Sequence, residues 1–161
     1  MVRGPEVIRL SKLADYGIVI MTTMARHPEH CHNAPEIAAR SHIPLPMASK
    51  ILKALARAGL LASHRGAKGG YGLARTAERI SVAEIIAALD GPIALTACIE
   101  DGPGECEIEA LCPARANWQR INDAIRHALQ SITLAEMAQA LPRAFGVPAV
   151  APERMRAREL W

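Results

Sequence analysis

Aromatic residues are scarce in this chain of 161 residues, which contains one Phe, two Tyr and two Trp. Half of its residues are nevertheless hydrophobic. A core must therefore be built from Leu, Ile, Val, Met and Ala, and that composition favours packed helices over a β-sandwich. The length suffices for one domain, or for a domain with an added arm.

Long apolar runs are also missing. No run of 18 apolar residues occurs, which argues against a transmembrane helix. The N-terminal stretch MVRGPEVIRLSKLADYG lacks the apolar segment of a secretory signal. We therefore expect a cytoplasmic protein without a membrane partner.

Catalytic patterns are likewise absent from the sequence. We find no Ser/His/Asp set and no paired carboxylates placed for catalysis. The glycine-rich GAKGG lacks the Lys-Ser/Thr that completes a phosphate-binding loop. An enzyme is not expected.

The net charge of +3 conceals an asymmetry along the chain. Residues 1–80 contain twelve Lys/Arg and five Asp/Glu, whereas residues 81–161 contain seven and eleven. A basic N-terminal half suits a polyanionic partner, although a solvated basic face is the plainer alternative.

Residues 1–91 predict a winged helix-turn-helix. An apolar stripe with helical period runs through residues 9–26, with Ser11 as N-cap. Two short helices, APEIAARS and MASKILKALARAGL, follow and are joined by the turn SHIPLP. Asn33 caps the first of them, with Glu36 as its capping-box partner.

The wing is predicted from two short runs, residues 60–65 and 71–75, which flank GAKGG. Such runs around a glycine-rich tip are typical of a β-hairpin. Ser81 then caps another helix, which Gly91-Pro92 ends. The expected fold class is mainly α, with a small hairpin wing and a long C-terminal helix.

The remaining residues divide into three segments. Residues 92–113 carry the cysteines, residues 114–141 predict a long helix followed by a short one, and residues 142–161 form an extended tail. The long helix carries a heptad-like apolar stripe that predicts homodimerisation. The stripe contains Trp118, Ile121, Ile125, Leu129 and Ile132.

DNA binding is predicted for the second helix of the helix-turn-helix and for the hairpin tip. The N-terminal residues of such a helix can reach base edges in the major groove. The glycine-rich tip can carry its cations into the minor groove. The candidate DNA-binding residues are Pro46, Met47, Ser49, Lys50, Lys53, Arg65 and Lys68.

Three of the four cysteines, Cys98, Cys106 and Cys112, lie within 15 residues of one another. Their spacing, Cys-x7-Cys-x5-Cys around Gly-Pro-Gly, suits thiolates that converge on a metal or an iron–sulfur cluster. In a reducing compartment, a redox-active thiol pair is the other interpretation. The fourth cysteine, Cys31, lies between His30 and His32. We interpret it as a free surface thiol, with an accessory metal site as the alternative.

The stretches LSKLADYG, KILKALARAGLLASHRGAKGGYGLAR, ISVAEIIAALDGPIALTAC and CEIEALCPARANWQRINDAI resemble the Rrf2 family of winged-helix regulators over roughly residues 8–135. That family includes the Isc regulator, a nitric-oxide-sensing repressor and the SUF-system regulator. The phrases GPIALTAC and NWQRIN look most like the SUF-system branch. The resemblance implies a homodimeric DNA-binding repressor that senses iron–sulfur status and controls cluster-assembly genes.

The resemblance also implies a 2Fe–2S or 4Fe–4S cluster on Cys98, Cys106 and Cys112. Where the Isc-type pattern has a histidine ligand, three residues after the last cysteine, this chain has Arg115. Other branches use an acidic residue near the N-terminus of the partner subunit, and the matching residue here is Asp15. The alternative ligands are Glu107 and Glu109, within the cysteine stretch itself. The alternatives are a cluster-free thiol-redox regulator and a metal-carrying protein-interaction module.

Overall fold

The computed structural model describes residues 10–66, 69–96, 99 and 111–139. In these ranges the chain forms six α-helices, one antiparallel hairpin and a short 3-10 turn at Ala77–Arg79. The helices and strands are α1 Lys12–Ala25, α2 Ala34–Ser41, α3 Leu45–Arg57, β1 Leu61–His64, β2 Gly70–Leu73, α4 Val82–Asp90, α5 Arg115–Ser131 and α6 Leu134–Ala138. The predicted fold class, a winged helix-turn-helix followed by a long helix, is confirmed.

Side-chain caps fix where several helices begin. Ser11 accepts a hydrogen bond from the Ala14 N–H at the start of α1. Ser81 and Thr133 each form a complete capping box, at α4 and at α6. Each cap satisfies a backbone donor that the helix cannot satisfy itself.

The predicted capping box at α2 is only half formed. Asn33 accepts from the Glu36 N–H at 2.9 Å, as expected. The Glu36 carboxylate, however, does not return to the Asn33 backbone. It faces His30, His32 and Arg40 instead. These three neighbours compete with the capping position for the Glu36 carboxylate.

Two helices end earlier than the sequence predicts, which is near Thr133 for the long helix and near Pro142 for the short one. The helix α5 ends at Ser131, because Ile132 is extended and Thr133 already caps α6. The short helix α6 ends at Ala138 with Gln139 extended, earlier than the expected end near Pro142. The tail predicted for residues 142–161 lies outside the described residues.

The core lies between α1, α3, α4, β1 and α6. Each of the large apolar side chains in it contributes about 1.5–3 kcal/mol on burial. The main cluster includes Ile20, Met21, Met24, Ile37, Ile51, Leu52, Leu55, Ile80, Ile85 and Leu134. The core is thus aliphatic and methionine-rich, as the shortage of aromatic residues predicted.

A short backbone seam joins the end of α5 to the start of α4. The Val82 N–H donates to the Ile132 carbonyl at 2.9 Å, and the Leu134 N–H donates to the Ile80 carbonyl at 2.8 Å. Ser81 and Thr133, the two capping residues, form an isolated antiparallel bridge there. The C-terminal end of the long helix is therefore fixed to the helix-turn-helix region.

Candidate nucleic-acid interface and cysteine segment

The helix α3 has two opposite faces. Its buried face packs Ala48, Ile51, Leu52 and Leu55 into the core. Four of the residues predicted to bind DNA line one shallow groove on the other side. They are Pro46, Ser49, Lys50 and Lys53. Packing of the apolar stripe therefore leaves these residues on a common outer surface.

Met47, the fifth predicted contact on α3, is half-buried and packs against the main core. Arg57 was not among the predicted residues, but it lines the same groove as Lys50 and Lys53. The spacing of these three cations, at i, i+3 and i+7, is the helical pattern that indicates one face. That spacing was the available sign in the sequence.

The hairpin pairs β1 with β2 in the register Leu61 to Leu73 and His64 to Gly70. Arg65 follows β1 and is exposed. Gly66 has a φ of 113°, a conformation that only glycine adopts freely. The predicted contact Lys68 lies outside the described residues, so Arg65 is the cation that the structure locates at the tip.

Of the three clustered cysteines, Cys112 is described, and it is half-buried. Cys98 and Cys106 lie outside the described residues. Cys31 and Cys112 are both free thiols. Asp15, the acidic residue matched to a partner-supplied ligand, is exposed in the first turn of α1.

The stretch that carries the cysteines is attached to α5 at both ends. On its N-terminal side, the Leu95 N–H donates to Oδ1 of Asn122 at 3.2 Å. On its C-terminal side, the Arg115 N–H donates to the Cys112 carbonyl at 3.3 Å. Asn122 is 1% exposed. Sequence inspection missed Asn122, because a buried polar residue in a polar helix carries no local pattern.

The outer side of α5 leaves much of the predicted apolar stripe uncovered. Trp118 is 40% exposed, Ile121 45% and Ile132 40%. Ile125 and Leu129 are half-buried, and Leu129 packs on a small cluster with Ala14, Val82 and Ile86. Exposed apolar patches of this kind commonly mark a site where another protein molecule binds.

No helix among the described residues is both long and apolar enough to cross a bilayer.

Comparison with known proteins agrees with this geometry. A family model described as Rrf2, an iron-dependent transcriptional regulator, matches residues 10–140. The HTH-type transcriptional regulator IscR of Vibrio cholerae is 32% identical over 132 residues, which cover 81% of this chain and 75% of that protein.

Two solved structures have the same fold. The structure of CymR, described as the global cysteine regulator of Bacillus subtilis, is 32% identical with a TM-score of 0.64, covering 81% of this chain and 96% of that one. The structure of T. potens IscR is 27% identical with a TM-score of 0.61, covering 86% of this chain and 96% of that one.

Proposed function

Since the chain belongs to the Rrf2 family of DNA-binding transcriptional regulators, we propose that it is a homodimeric repressor that senses iron–sulfur cluster status. Its targets are genes for cluster assembly, as in the SUF-system branch that its sequence resembles. The observation that carries this proposal is that both ends of the cysteine stretch are hydrogen-bonded to α5, at Asn122 and at Arg115. A ligand bound by that stretch acts directly on the dimerisation helix.

The cofactor of this proposal is a 2Fe–2S or 4Fe–4S cluster held by Cys98, Cys106 and Cys112. The donor set fits such a group, because thiolates are its usual ligands and Cys112 is a free thiol. Arg115 is a poor fourth ligand, since a guanidinium stays protonated. We assign that position to the exposed Asp15 of the partner subunit. When bound, the cluster supplies a centre that is sensitive to iron supply and oxidation.

DNA recognition is assigned to the groove on α3 and to the wing. In this proposal Pro46, Met47 and Ser49 approach base edges in the major groove, and Lys50, Lys53 and Arg57 neutralise phosphates. Arg65 and Lys68 reach the minor groove from the hairpin tip.

Dimerisation is assigned to the apolar stripe of α5. Pairing two copies of α5 covers Trp118, Ile121 and Ile132 and completes the heptad seam with Ile125 and Leu129. The dimer also sets the distance between two α3 helices, which must match half-sites about 34–36 Å apart.

The regulatory step is a shift between two arrangements of the dimer. A cluster held by Cys98, Cys106 and Cys112 would constrain the cysteine stretch, and the contacts at Asn122 and at Cys112 would carry that constraint to α5. Because α5 is fixed to α4 by the backbone seam, the helix-turn-helix follows. A two-state element biased by a ligand is the general requirement for such a switch.

The cofactor is tested by purifying the protein anaerobically and counting iron and sulfide. We expect visible cluster absorbance in the wild-type protein and its loss when Cys98, Cys106 and Cys112 are replaced by Ala. Replacement of Cys31 by Ala is the control and should leave the absorbance unchanged. Cluster absorbance that survives the triple substitution would contradict the ligand assignment.

A cluster-free thiol-redox regulator is the second candidate, and the likeness to CymR, a cysteine regulator, favours it. In that case two thiols form a disulfide on oxidation. Protein without iron or sulfide, whose DNA affinity changes with dithiothreitol, would support this candidate over the first.

DNA contacts are tested by salt-dependent binding. Lys50→Ala and Arg57→Ala should each reduce the slope of log affinity against log salt by about 1, as expected for one lost phosphate contact. Lys12→Ala, an exposed lysine outside the groove, is the control. Unchanged slopes in both groove variants would favour the protein-interaction alternative.

A further inference from the structure

Three potential metal ligands meet where the loop before α2 passes the hairpin. They are His30, His32 and Glu36, and one ligand atom from each lies within 4.8 Å of the other two. Oε1 of Glu36 is 3.2 Å from Nδ1 of His32 and 3.4 Å from Nε2 of His30. None of the three belongs to the cysteine segment or to the groove on α3.

These distances are close to those inside a metal site. Two metal–ligand bonds of about 2.0–2.1 Å at a tetrahedral angle hold their ligand atoms about 3.3 Å apart. Two of the atom pairs already have that spacing. An ion could therefore enter with small side-chain rotations instead of a backbone rearrangement.

Burial and charge prepare the ligands. Burial raises the pKa of Glu36, but the hydrogen bond with His32 and the nearby His32, His30 and Arg40 lower it further, so the net shift is downward and the carboxylate stays ionised. His32 is fully buried, and its Nε2 has no hydrogen-bond partner among the described residues. A buried ring nitrogen without a partner is uncommon in a folded protein and marks His32 as a side chain whose polar atoms the fold has not fully used.

The backbone holds His32 in place. Its N–H donates to the Tyr71 carbonyl at 2.9 Å, and its carbonyl accepts from the Tyr71 N–H at 2.8 Å. The neighbouring Gly70 permits this approach, because a Cβ there would stand 2.6 Å from the His32 carbonyl oxygen. His32 is thus a rigid ligand, whereas the His30 side chain is 56% exposed and leaves the site open to solvent.

We propose that His30, His32 and Glu36 bind a divalent transition-metal ion, for which zinc is the best match. Two imidazoles and one carboxylate with an open fourth position form a recurrent zinc donor set. The ion links α2, which carries Glu36, to the loop that pairs with β2. Because the His32 backbone is paired with Tyr71 of β2, the bound ion also connects the first helix of the helix-turn-helix to the wing.

Zinc titration of the full-length protein tests this proposal, with His30→Ala as the principal variant. His30 is exposed, so its loss should leave the fold intact, and far-UV circular dichroism checks this. All cysteines are the same in both proteins, so a difference in zinc binding belongs to the histidine site, whatever the cysteines bind. We expect His30→Ala to lose one equivalent of zinc, or to bind it at least tenfold more weakly.

Two further variants make the test specific. His27→Ala removes an exposed imidazole from the same loop and should bind zinc like the wild type. Glu36→Gln keeps the shape of the side chain but removes its charge, and should weaken binding in the same way as His30→Ala. With Co²⁺ as the probe, the bands that depend on His30 should lack sulfur-to-cobalt charge transfer.

Equal zinc stoichiometry and affinity in the wild type and His30→Ala would overturn the proposal. A loss in His30→Ala that Glu36→Gln does not share would overturn the three-ligand site. Neither result bears on the cluster, because the cysteines are untouched.

Discussion

The region of residues 10–91 and the helix α5 solve the burial of apolar side chains differently. In the N-terminal region, α3 buries Ile51, Leu52 and Leu55 completely within one chain. In α5 the fully buried residue is a polar one, Asn122, while Trp118 and Ile121 remain substantially exposed. The first region contributes most of the main apolar cluster, whereas the predicted apolar stripe of α5 stays partly exposed along its length. We therefore expect the buried apolar residues of α3 to determine folding, and the exposed apolar stripe of α5 to determine dimerisation.

The largest expected effect is in the core of the first region. Leu55→Ala removes a fully buried side chain and should lower the free energy of unfolding by about 2–5 kcal/mol. Leu111→Ala is the matched control outside the core, because Leu111 is 88% exposed, and it should change stability by less than about 0.5 kcal/mol. Urea denaturation measures both. Equal losses in the two variants would contradict the assignment of Leu55 to the core.

A smaller effect is expected on the outer face of α5, and it should appear in assembly instead of folding. Ile121→Ala should raise the dimer dissociation constant about tenfold, equivalent to about 1.4 kcal/mol. Sedimentation equilibrium measures this constant. The urea midpoint extrapolated to low protein concentration should stay near that of the wild type. A variant that unfolds but does not dissociate more readily would assign Ile121 to the fold.

Asn122 lies where the two regions meet, and its replacement should change the free energy of unfolding by no more than about 1 kcal/mol. Asn122→Ala leaves the Leu95 N–H without its acceptor, but it also removes an amide whose buried Nδ2 has no hydrogen-bond partner among the described residues. These two changes oppose each other. Hydrogen exchange at Leu95 should accelerate while exchange at Leu55 stays slow. Protection at Leu95 that survives the substitution would contradict the anchor.

The smallest expected effect concerns the cap of α4. Ser81→Ala should cost about 0.5–1 kcal/mol at neutral pH. Burial raises the pKa of Glu84, but hydrogen bonds from Ser81 and Arg75 and the charge of Arg75 lower it further, so its net shift is downward. A carboxylate with a lowered pKa stabilises the fold above its ordinary value of 4.5 and loses that contribution as the pH falls below it.

Stability measured against pH therefore checks the cap. The wild type should lose its advantage over Ser81→Ala as the pH falls below the ordinary Glu84 pKa of 4.5, because protonated Glu84 no longer accepts as strongly from the Ser81 hydroxyl, which is the bond that Ser81→Ala removes. Thr133→Ala, at the matching box on α6, provides the comparison, since Glu136 also has a lowered pKa through its bonds with Thr133. A constant difference at every pH would remove Glu84 from the explanation.

What the sequence could predict followed from locality. The caps at Ser11 and Ser81 depend on residues three positions apart, and both form. The half-formed box at Glu36 failed because His30, His32 and Arg40 compete for its carboxylate. That competition depends on the path of the loop beside the hairpin, which no short pattern encodes.

The candidate sites show the same limit. The common face of Lys50 and Lys53 follows from helical periodicity, and Arg57 extends it by one more turn. The bond between Leu95 and Asn122 joins residues 27 positions apart. Such a contact is fixed by how α5 returns to α4, so it becomes visible only in three dimensions.

The seam between Ile132 and Val82 fixes the C-terminal end of α5 to the start of α4. Seventeen residues at 1.5 Å each give α5 a length of about 25 Å. A tilt of about 5° about that fixed end displaces the N-terminal end of α5 by about 2 Å. In the proposed switch, a change at the cysteine stretch that tilts α5 by this angle would shift the N-terminal end of the helix by most of a hydrogen-bond length.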